Sequence, residues 1–266
     1  MAGKKPLIST VLLNWNRRYL LEQTVNSYLS TVNVPYELII VDNGSRDGSQ
    51  EYIKNVCSCN ELCTNILLNK NMGGIALNLA LTRARSDILH VSENDLQYKP
   101  GWVERVIRIF RVFPELGQLS LYAHSPARNE GDIDGERPSE RISRQGLTIY
   151  QTRINVHSSS VFRREVWQQG IRWKNIGNNG VRFPDDYSFS QEVMKAGYIV
   201  AWNDEYLVTN YGHLIDEIKN NLAYYVRDYK AKPGGLEKLR KRIKRFGYGL
   251  ILDDKEKSGY RLVSLD

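Results

Sequence analysis

Residues 37–45 read ELIIVDNGS, an apolar run over Leu38, Ile39, Ile40 and Val41 closed by an acid, an amide and a glycine. A run without alternation suits a strand covered on both faces, and the turn residues behind it stop the strand. The pattern recurs on either side. LISTVLL (7–13) breaks at Asn14-Trp15-Asn16, NILLN (65–69) leads to Asn71-Met72-Gly73-Gly74, and DILHVSEND (87–95) ends in Glu93-Asn94-Asp95. Between these runs the apolar spacing is helical, as at Leu20, Leu21, Val25, Tyr28 and Leu29 within 18–31, and again over 45–56 and 75–84. The order β-α-β-α-β-α-β predicts an α/β fold, a doubly wound and mainly parallel sheet with helices on both faces. In such sheets ligands bind at the carboxyl ends of the strands, and here each of the four ends carries a polar cluster.

Beyond Pro100-Gly101, WVERVIRIFRVF (102–113) reads as an amphipathic helix. Residues 125–146, rich in Gly, Pro and charge, read as a long loop of the kind that serves as a lid or acceptor loop. A strand and helix, then a loop, helix and final strand, carry the chain to about residue 210.

The chain has 266 residues with 41% hydrophobic and 25% charged, a composition that excludes disorder. No apolar run approaches the ~18–20 residues of a membrane span, and the first residues lack the features of a signal peptide. A soluble, cytoplasmic protein is expected. Cys57, Cys59 and Cys63 are an odd set whose spacing fits no common zinc motif, so unpaired thiols in a reducing compartment are expected. The net charge of +7 is local. Lys230, Lys232, Lys238, Arg240, Lys241, Arg242, Lys244 and Arg245 face only Glu237 within that stretch, which leaves the rest of the chain neutral.

Four stretches together resemble glycosyltransferase family 2, inverting enzymes of the GT-A fold: VLLNWNRRYLLEQTVNSYL (11–29), ELIIVDNGSRDGSQEYI (37–53), LLNKNMGGIALNLALTRARSDILHVSENDLQYKPGW (67–102) and FPDDYSFSQEVMKAGY (183–198). The resemblance spans about residues 7–210 and implies a nucleotide-sugar donor, in most members a UDP-sugar. It divides the chain into a nucleotide-sugar-binding half (1–98), an acceptor-binding half of the same domain (99–215) and a basic amphipathic extension (216–266).

The resemblance also implies roles. Asp42 takes the position that contacts the base, supported by Asn43 and by Asn14, Trp15 and Asn16. Asn71, Gly73 and Gly74 match a loop whose missing side chains let backbone approach the nucleotide. Glu93-Asn94-Asp95 falls on the family's D-x-D metal motif with Glu in the first place, so Asp95 and Glu93 are candidate ligands for Mn²⁺ or Mg²⁺. His213, in NYGHLID, resembles a position that supplies a histidine to the metal in some GT-A enzymes. Asp185-Asp186 aligns with the family's acidic pair, and Asp186 becomes the general base toward the acceptor hydroxyl. An acid just before a helix also reads as an N-cap, and both readings stand. His90, inside a strand, reads as a core residue, whereas His157 could face the acceptor.

LEKLRKRIKRFGYGL (236–250) sets Leu236, Leu239, Ile243, Phe246 and Leu250 at three- and four-residue steps, which predicts an amphipathic helix with a cationic face. Three readings stay open for residues 230–246: docking on an anionic membrane, where lipid-linked acceptors sit; tracking of a nucleic acid; or packing on the catalytic domain. The expected activity is sugar transfer to a glycan or lipid-linked acceptor in cell-surface synthesis. The alternatives are transfer to a nucleic acid, as on a modified DNA base, a retaining outcome, and a GT-A domain kept as an inactive binding or scaffold module. A sugar nucleotidyltransferase is disfavoured, because LLNWNRRYLL has no glycine after the first strand.

Overall fold

The computed structural model describes residues 5–132, 137–157, 159–178 and 181–265. β1 (Ile8–Asn14), β2 (Tyr36–Asp42), β3 (Cys63–Leu67) and β4 (Ile88–Ser92) alternate with α1 (Arg18–Thr31), α2 (Ser49–Ser58) and α3 (Gly74–Leu81), as their apolar runs predict. Then come β5 (Leu96–Tyr98), α4 (Trp102–Val112), β6 (Leu116–Ala123), β7 (Glu140–Arg144), β8 (Leu147–Gln151), β9 (Ser160–Arg163) and α5 (Arg164–Gln168). β10 (Asn175–Ile176), β11 (Phe183–Pro184), α6 (Asp186–Lys195), β12 (Ile199–Asn203) and β13 (Val208–Asn210) complete the main body. α7 (Ile215–Asn220), α8 (Leu222–Ala231), α9 (Gly235–Lys244), β14 (Tyr248–Leu252) and β15 (Tyr260–Ser264) form the C-terminal unit.

The central sheet runs β3-β2-β1-β4-β9-β6-β12-β8-β7. Its first four strands are parallel, whereas β9 lies antiparallel to both β4 and β6. The two halves of the chain are therefore one hydrogen-bonded sheet. Register decides where the site falls. Asn14 pairs with Asp42 and Asp42 with Leu67, so β1, β2 and β3 end at one level and their polar clusters meet there. Buried aliphatics such as Val11, Ile39, Ile40 and Val91 line both faces of these strands. His90 is a core residue: it is fully buried against Tyr98 and Trp102, and burial pushes its imidazole down to about 3, which keeps it neutral.

Several expectations change. The segment 125–146 is not loop throughout: β7 pairs antiparallel with β8 at the sheet edge, while the expected loop residues 133–136 lie outside the described residues. Cys57 and Cys63 are not unpaired thiols. They form a disulfide joining the end of α2 to the start of β3, with Cα atoms 4.8 Å apart, and Cys59 is the exposed free thiol. The basic helix stops at Lys244, not at residue 250, because Gly247 takes a positive φ of 81° and Leu250 belongs to β14. No helix among the described residues is long and apolar enough to cross a membrane.

The C-terminal unit has its own small core of Ile218, Tyr225, Val226, Tyr229, Leu239, Ile243 and Leu250. Of the predicted apolar stripe on α9, Leu239 and Ile243 are fully buried there.

Candidate active site

The carboxyl ends of β1, β2 and β4 are tied by one chain of hydrogen bonds. Asn14 Nδ2 donates to Asp42 Oδ2 at 2.7 Å, Asn94 Nδ2 donates to Asn14 Oδ1 at 2.6 Å and to the Asn16 carbonyl at 2.9 Å, and Arg17 Nη2 donates to Asn94 Oδ1 at 2.6 Å. Arg17 then reaches Asp95 Oδ2 through Nη1 at 2.9 Å. Asn16 and Arg17 both sit in the left-handed region, with φ of 56° and 58°. Two successive non-glycine residues in this conformation persist only where surrounding contacts hold them. Here the Asn16 amide donates to Ser45 Oγ at 2.7 Å and the Arg17 side chain is locked by Asn94 and Asp95.

These strand ends open into a cavity of about 340 Å³. Trp15, Asn43, Asn71, Glu93, Asn94, Asp95, His213 and Asp186 all line it. Asp42 does not. It is fully buried, and four donors saturate it: Asn14 Nδ2, the Gly44 and Ser45 amides at 3.1 and 2.8 Å, and Gln50 Nε2 at 2.8 Å. The structure thus sets Asp42 behind the cavity and Asn43 on its wall, where Asn43 Oδ1 accepts from the Met72 amide at 2.7 Å. Asn14, equally buried, and Asn16 support the loop from behind the cavity. The glycines pack closely. The space beside Gly73 and Gly74 is filled by Asn175, Lys174 and Trp173, and the Gly74 amide donates to Asn175 Oδ1 at 2.6 Å. Their missing side chains admit the segment before β11.

On the far wall, Asp185 is the N-cap of α6, accepting from the Ser188 amide at 3.0 Å and its hydroxyl at 2.6 Å. Asp186 is the acid that faces the cavity. Trp173 Nε1–H donates to its Oδ1 at 3.1 Å, and Trp173 is fixed by stacking on Phe189 and by a paired amide contact with Asn78. Burial pushes the Asp186 carboxyl up to about 6, against the opposing pull of the Trp173 hydrogen bond. A carboxylate raised to that range is suited to accept a proton near neutral pH. His157 also lines this wall, edge-on to Tyr122 and Trp202.

Several cavity residues carried no signal in the sequence. Arg17 reads as part of a turn, and Asp132 and Arg137 read as loop. The structure buries Asp132 and Arg137 as a pair in which Arg137 Nη2 donates to both Asp132 oxygens at 2.6 Å, with Arg137 4.1 Å over the Trp202 ring. The C-terminal unit closes the remaining side with Tyr224, Tyr225, Asp228, Tyr229, Lys232, Lys238 and Arg242. Burial opposes the charge of Lys232, but Asp228 at 2.6 Å outweighs it and holds the ammonium above its usual range.

Among the described residues no three His, Cys, Asp or Glu side chains converge on a metal-sized position. His213 Nε2 lies 3.1 Å from Arg242 Nη1, and Asp95 Oδ2 is taken by Arg17. Asp95 Oδ1, however, is buried and has no hydrogen-bond partner. A hard cation that holds one or two carboxylates and completes its shell with substrate phosphates needs no all-protein cage. Asp95 with neighbouring Glu93 fits an ion of that kind.

Comparison with known proteins agrees with this architecture. The profile of the family described as "Glycosyl transferase family 2" matches residues 9–170. The Bacillus subtilis glycosyltransferase TuaG, named for teichuronic acid biosynthesis, is 31% identical over 106 residues, 40% of this chain and 42% of that protein. An uncharacterized glycosyltransferase of Nostoc sp., alr2836, is 22% identical over 229 residues, 82% of this chain and 64% of that one. The chain thus spans less than two thirds of either relative. Among solved structures, the mannosyltransferase PcManGT from Pyrobaculum calidifontis in complex with GDP-Man and Mn²⁺ superposes with a TM-score of 0.61 at 14% identity, covering 92% of this chain and 65% of that one. S. aureus TarS superposes with a TM-score of 0.56 at 13% identity, covering 90% and 71%. At these identities the likeness is one of fold.

Proposed function

The chain belongs to glycosyltransferase family 2, and from that premise we propose that it moves a sugar from a UDP-sugar to an acceptor hydroxyl with inversion. The acceptor is a cell-surface or lipid-linked saccharide. The observation that carries the reading is the single cavity at the strand ends that Asp186, Asp95 and Arg17 line together, with burial raising the Asp186 carboxyl.

In this mechanism Trp15, Asn43 and Asn71 receive the nucleoside, an aromatic face beside amide donors and acceptors. The diphosphate lies toward Asp95 and Arg17. When bound, Mn²⁺ or Mg²⁺ held by Asp95 and Glu93 supplies positive charge to that diphosphate. Asp186 takes the proton of the acceptor hydroxyl as its oxygen forms a bond to the anomeric carbon. The bond from that carbon to the diphosphate breaks, and its electron pair leaves with the nucleoside diphosphate. Attack on the face opposite the leaving group inverts the anomeric centre. Trp173 Nε1–H keeps Asp186 aimed, so the carboxylate is placed to accept a proton near neutral pH.

The name of TuaG supports a cell-surface acceptor. The exposed basic residues of α9, Arg240, Lys241 and Lys244, suit an anionic membrane surface on the cytoplasmic side, where lipid-linked acceptors are presented. The test is transfer from a panel of UDP-, GDP- and dTDP-sugars to lipid-linked saccharide acceptors, with the product anomer read by NMR. Transfer from a UDP-sugar with inversion, lost in Asp186→Asn, supports the reading. Full transfer by Asp186→Asn removes Asp186 as the base.

A further inference from the structure

The C-terminal hairpin is apolar on both of its faces. In β14 and β15, Leu250 pairs with Leu262 and Leu252 with Tyr260, and Leu250, Leu262, Tyr248 and Tyr260 pack in the small core with Leu239 and Ile243 of α9. Side chains alternate along a strand, so Ile251, Val263 and Arg261 point to the other side, where Gly249 leaves room. A sheet with one face on a core carries polar residues on its solvent face. Here Ile251 is exposed, and a Cβ added to Gly249 would meet the side-chain tips of Val263 and Leu265, so apolar groups gather on the outer face. Leu252, at the end of β14, is 71% exposed and Leu265 is 52% exposed. Of the nine exposed large hydrophobic residues among the described ones, three therefore belong to this hairpin and the residue that follows it.

Positive charge borders that face. The Leu265 amide donates to the Gly247 carbonyl at 2.9 Å, which sets Leu265 beside the end of α9, where Lys241, Lys244 and Arg245 are exposed. From Arg240 to Leu265 the chain carries eight basic and three acidic residues. The three acids lie in the turn between the strands, and one of them, Asp253, accepts from Arg261 Nε at 3.1 Å.

We infer that Ile251, Leu252, Val263 and Leu265 form a membrane-docking surface that enters the interface of an anionic lipid bilayer, with the cations at the end of α9 on its headgroups. Exposed apolar side chains edged by Lys and Arg suit that boundary, since the first leave water while the second meet anionic lipid. A phosphate backbone would take the cations and leave the apolar face in water. A second copy of the chain would set like charges against each other across a two-fold contact, and four side chains fall short of the about 800 Å² per partner of a stable dimer. The inference rests on the reading above for its lipid-linked acceptor and adds the surface that reaches it. The hairpin shares a core with α9, and α9 lines the candidate active site, so docking holds the cavity at the bilayer.

The test is co-sedimentation of the full chain with vesicles of phosphatidylcholine alone and of equal parts phosphatidylcholine and phosphatidylglycerol. The chain should bind the mixed vesicles, and added salt or omission of phosphatidylglycerol should weaken binding severalfold. The double variant Leu252→Ser with Leu265→Ser should weaken it by roughly tenfold at constant salt, and Lys241→Ala with Lys244→Ala by a similar factor. All four side chains are exposed, so both variants should keep the wild-type unfolding midpoint. In Leu252→Trp, mixed vesicles should shift the emission to the blue beyond any shift of the wild-type chain. Vesicle binding that the leucine variant leaves unchanged overturns the inference, as does a wild-type chain that binds no vesicle and instead self-associates or binds duplex DNA. Transfer to a water-soluble saccharide acceptor is measured alongside. Transfer by a chain that binds no vesicle overturns the docking surface alone, whereas vesicle binding without transfer overturns the sugar-transfer reading.

Discussion

Arg17 Nη1 and Asp95 Oδ2 meet at 2.9 Å with only 15% and 7% of their side chains exposed, and this pair joins the end of β1 to the end of β4. Removing one partner of a buried pair strands the other charge. Arg17→Ala should therefore lower unfolding stability by about 3–5 kcal/mol, read by urea denaturation. Arg17→Lys should recover part of the loss, because an ammonium can hold Asp95 but cannot also reach Asn94. A stability loss below about 1 kcal/mol for Arg17→Ala would mean that the pair is not buried in solution.

Asp186 couples activity and stability with opposite signs. Transfer needs the carboxylate, so kcat should rise with pH through about 6 and fall on the acid side. Native Asp186 keeps its proton up to that pH, whereas the unfolded chain releases it near the ordinary value of about 3.9. Between the two values the native state binds more protons, so this group's contribution to stability declines as pH rises, and the whole penalty is present above 6. Asp186→Asn should then abolish most activity yet stabilise the fold by about 2–3 kcal/mol at pH 7.5, an advantage that vanishes below about pH 4. Denaturation curves at the two pH values check it.

Asp42→Ala is predicted to act on the fold before it acts on the ligand. It leaves the donors on Asn14, Gly44, Ser45 and Gln50 without this acceptor, at a cost on the order of 3 kcal/mol. Chemical denaturation reads this directly. A variant of unchanged stability that no longer binds nucleotide would restore Asp42 as a direct ligand contact.

Gly73→Ala meets Asn175 and must also adopt a φ of 61° with ψ of −136°, a combination that a side chain disfavours. A loss of at least about 2 kcal/mol is expected in thermal or urea unfolding. An unchanged midpoint would show that the segment before β11 does not pack against this turn.

The first four strands were legible because a strand buried on both faces must be a continuous apolar run, and LIIV (38–41) allows little else. The place of β9 was not legible: SVFR (160–163) shows no mark that selects an antiparallel position between β4 and β6, since pairing partners far apart leave no local pattern. Motif position brought Asn43, Asn71, Glu93, Asn94, Asp95 and Asp186 to one cavity, but it says nothing of saturation by neighbouring donors. Only the structure shows that neighbouring donors hold Asp42 and that Asp185 caps α6. Arg17 gave no signal because its role comes from a left-handed backbone and two partners about 80 residues away. The charge run of residues 230–245 was visible, yet only packing of Leu239 and Ile243 shows how the helix that carries much of it is set against the C-terminal core.

The central claim is that this cavity holds a nucleotide-sugar donor with its diphosphate beside Asp95. The direct measurement is the thermal midpoint with UDP, GDP, CMP and dTDP, each with and without Mn²⁺, on the wild type and on Asp95→Ala. A ligand at about one hundred times its dissociation constant stabilises the native state by about 2.7 kcal/mol, a shift of several degrees for a chain of this size. UDP should raise the midpoint, Mn²⁺ should enlarge the rise, and Asp95→Ala should erase the enlargement. A wild-type midpoint that no nucleotide moves, with or without Mn²⁺, would contradict the claim.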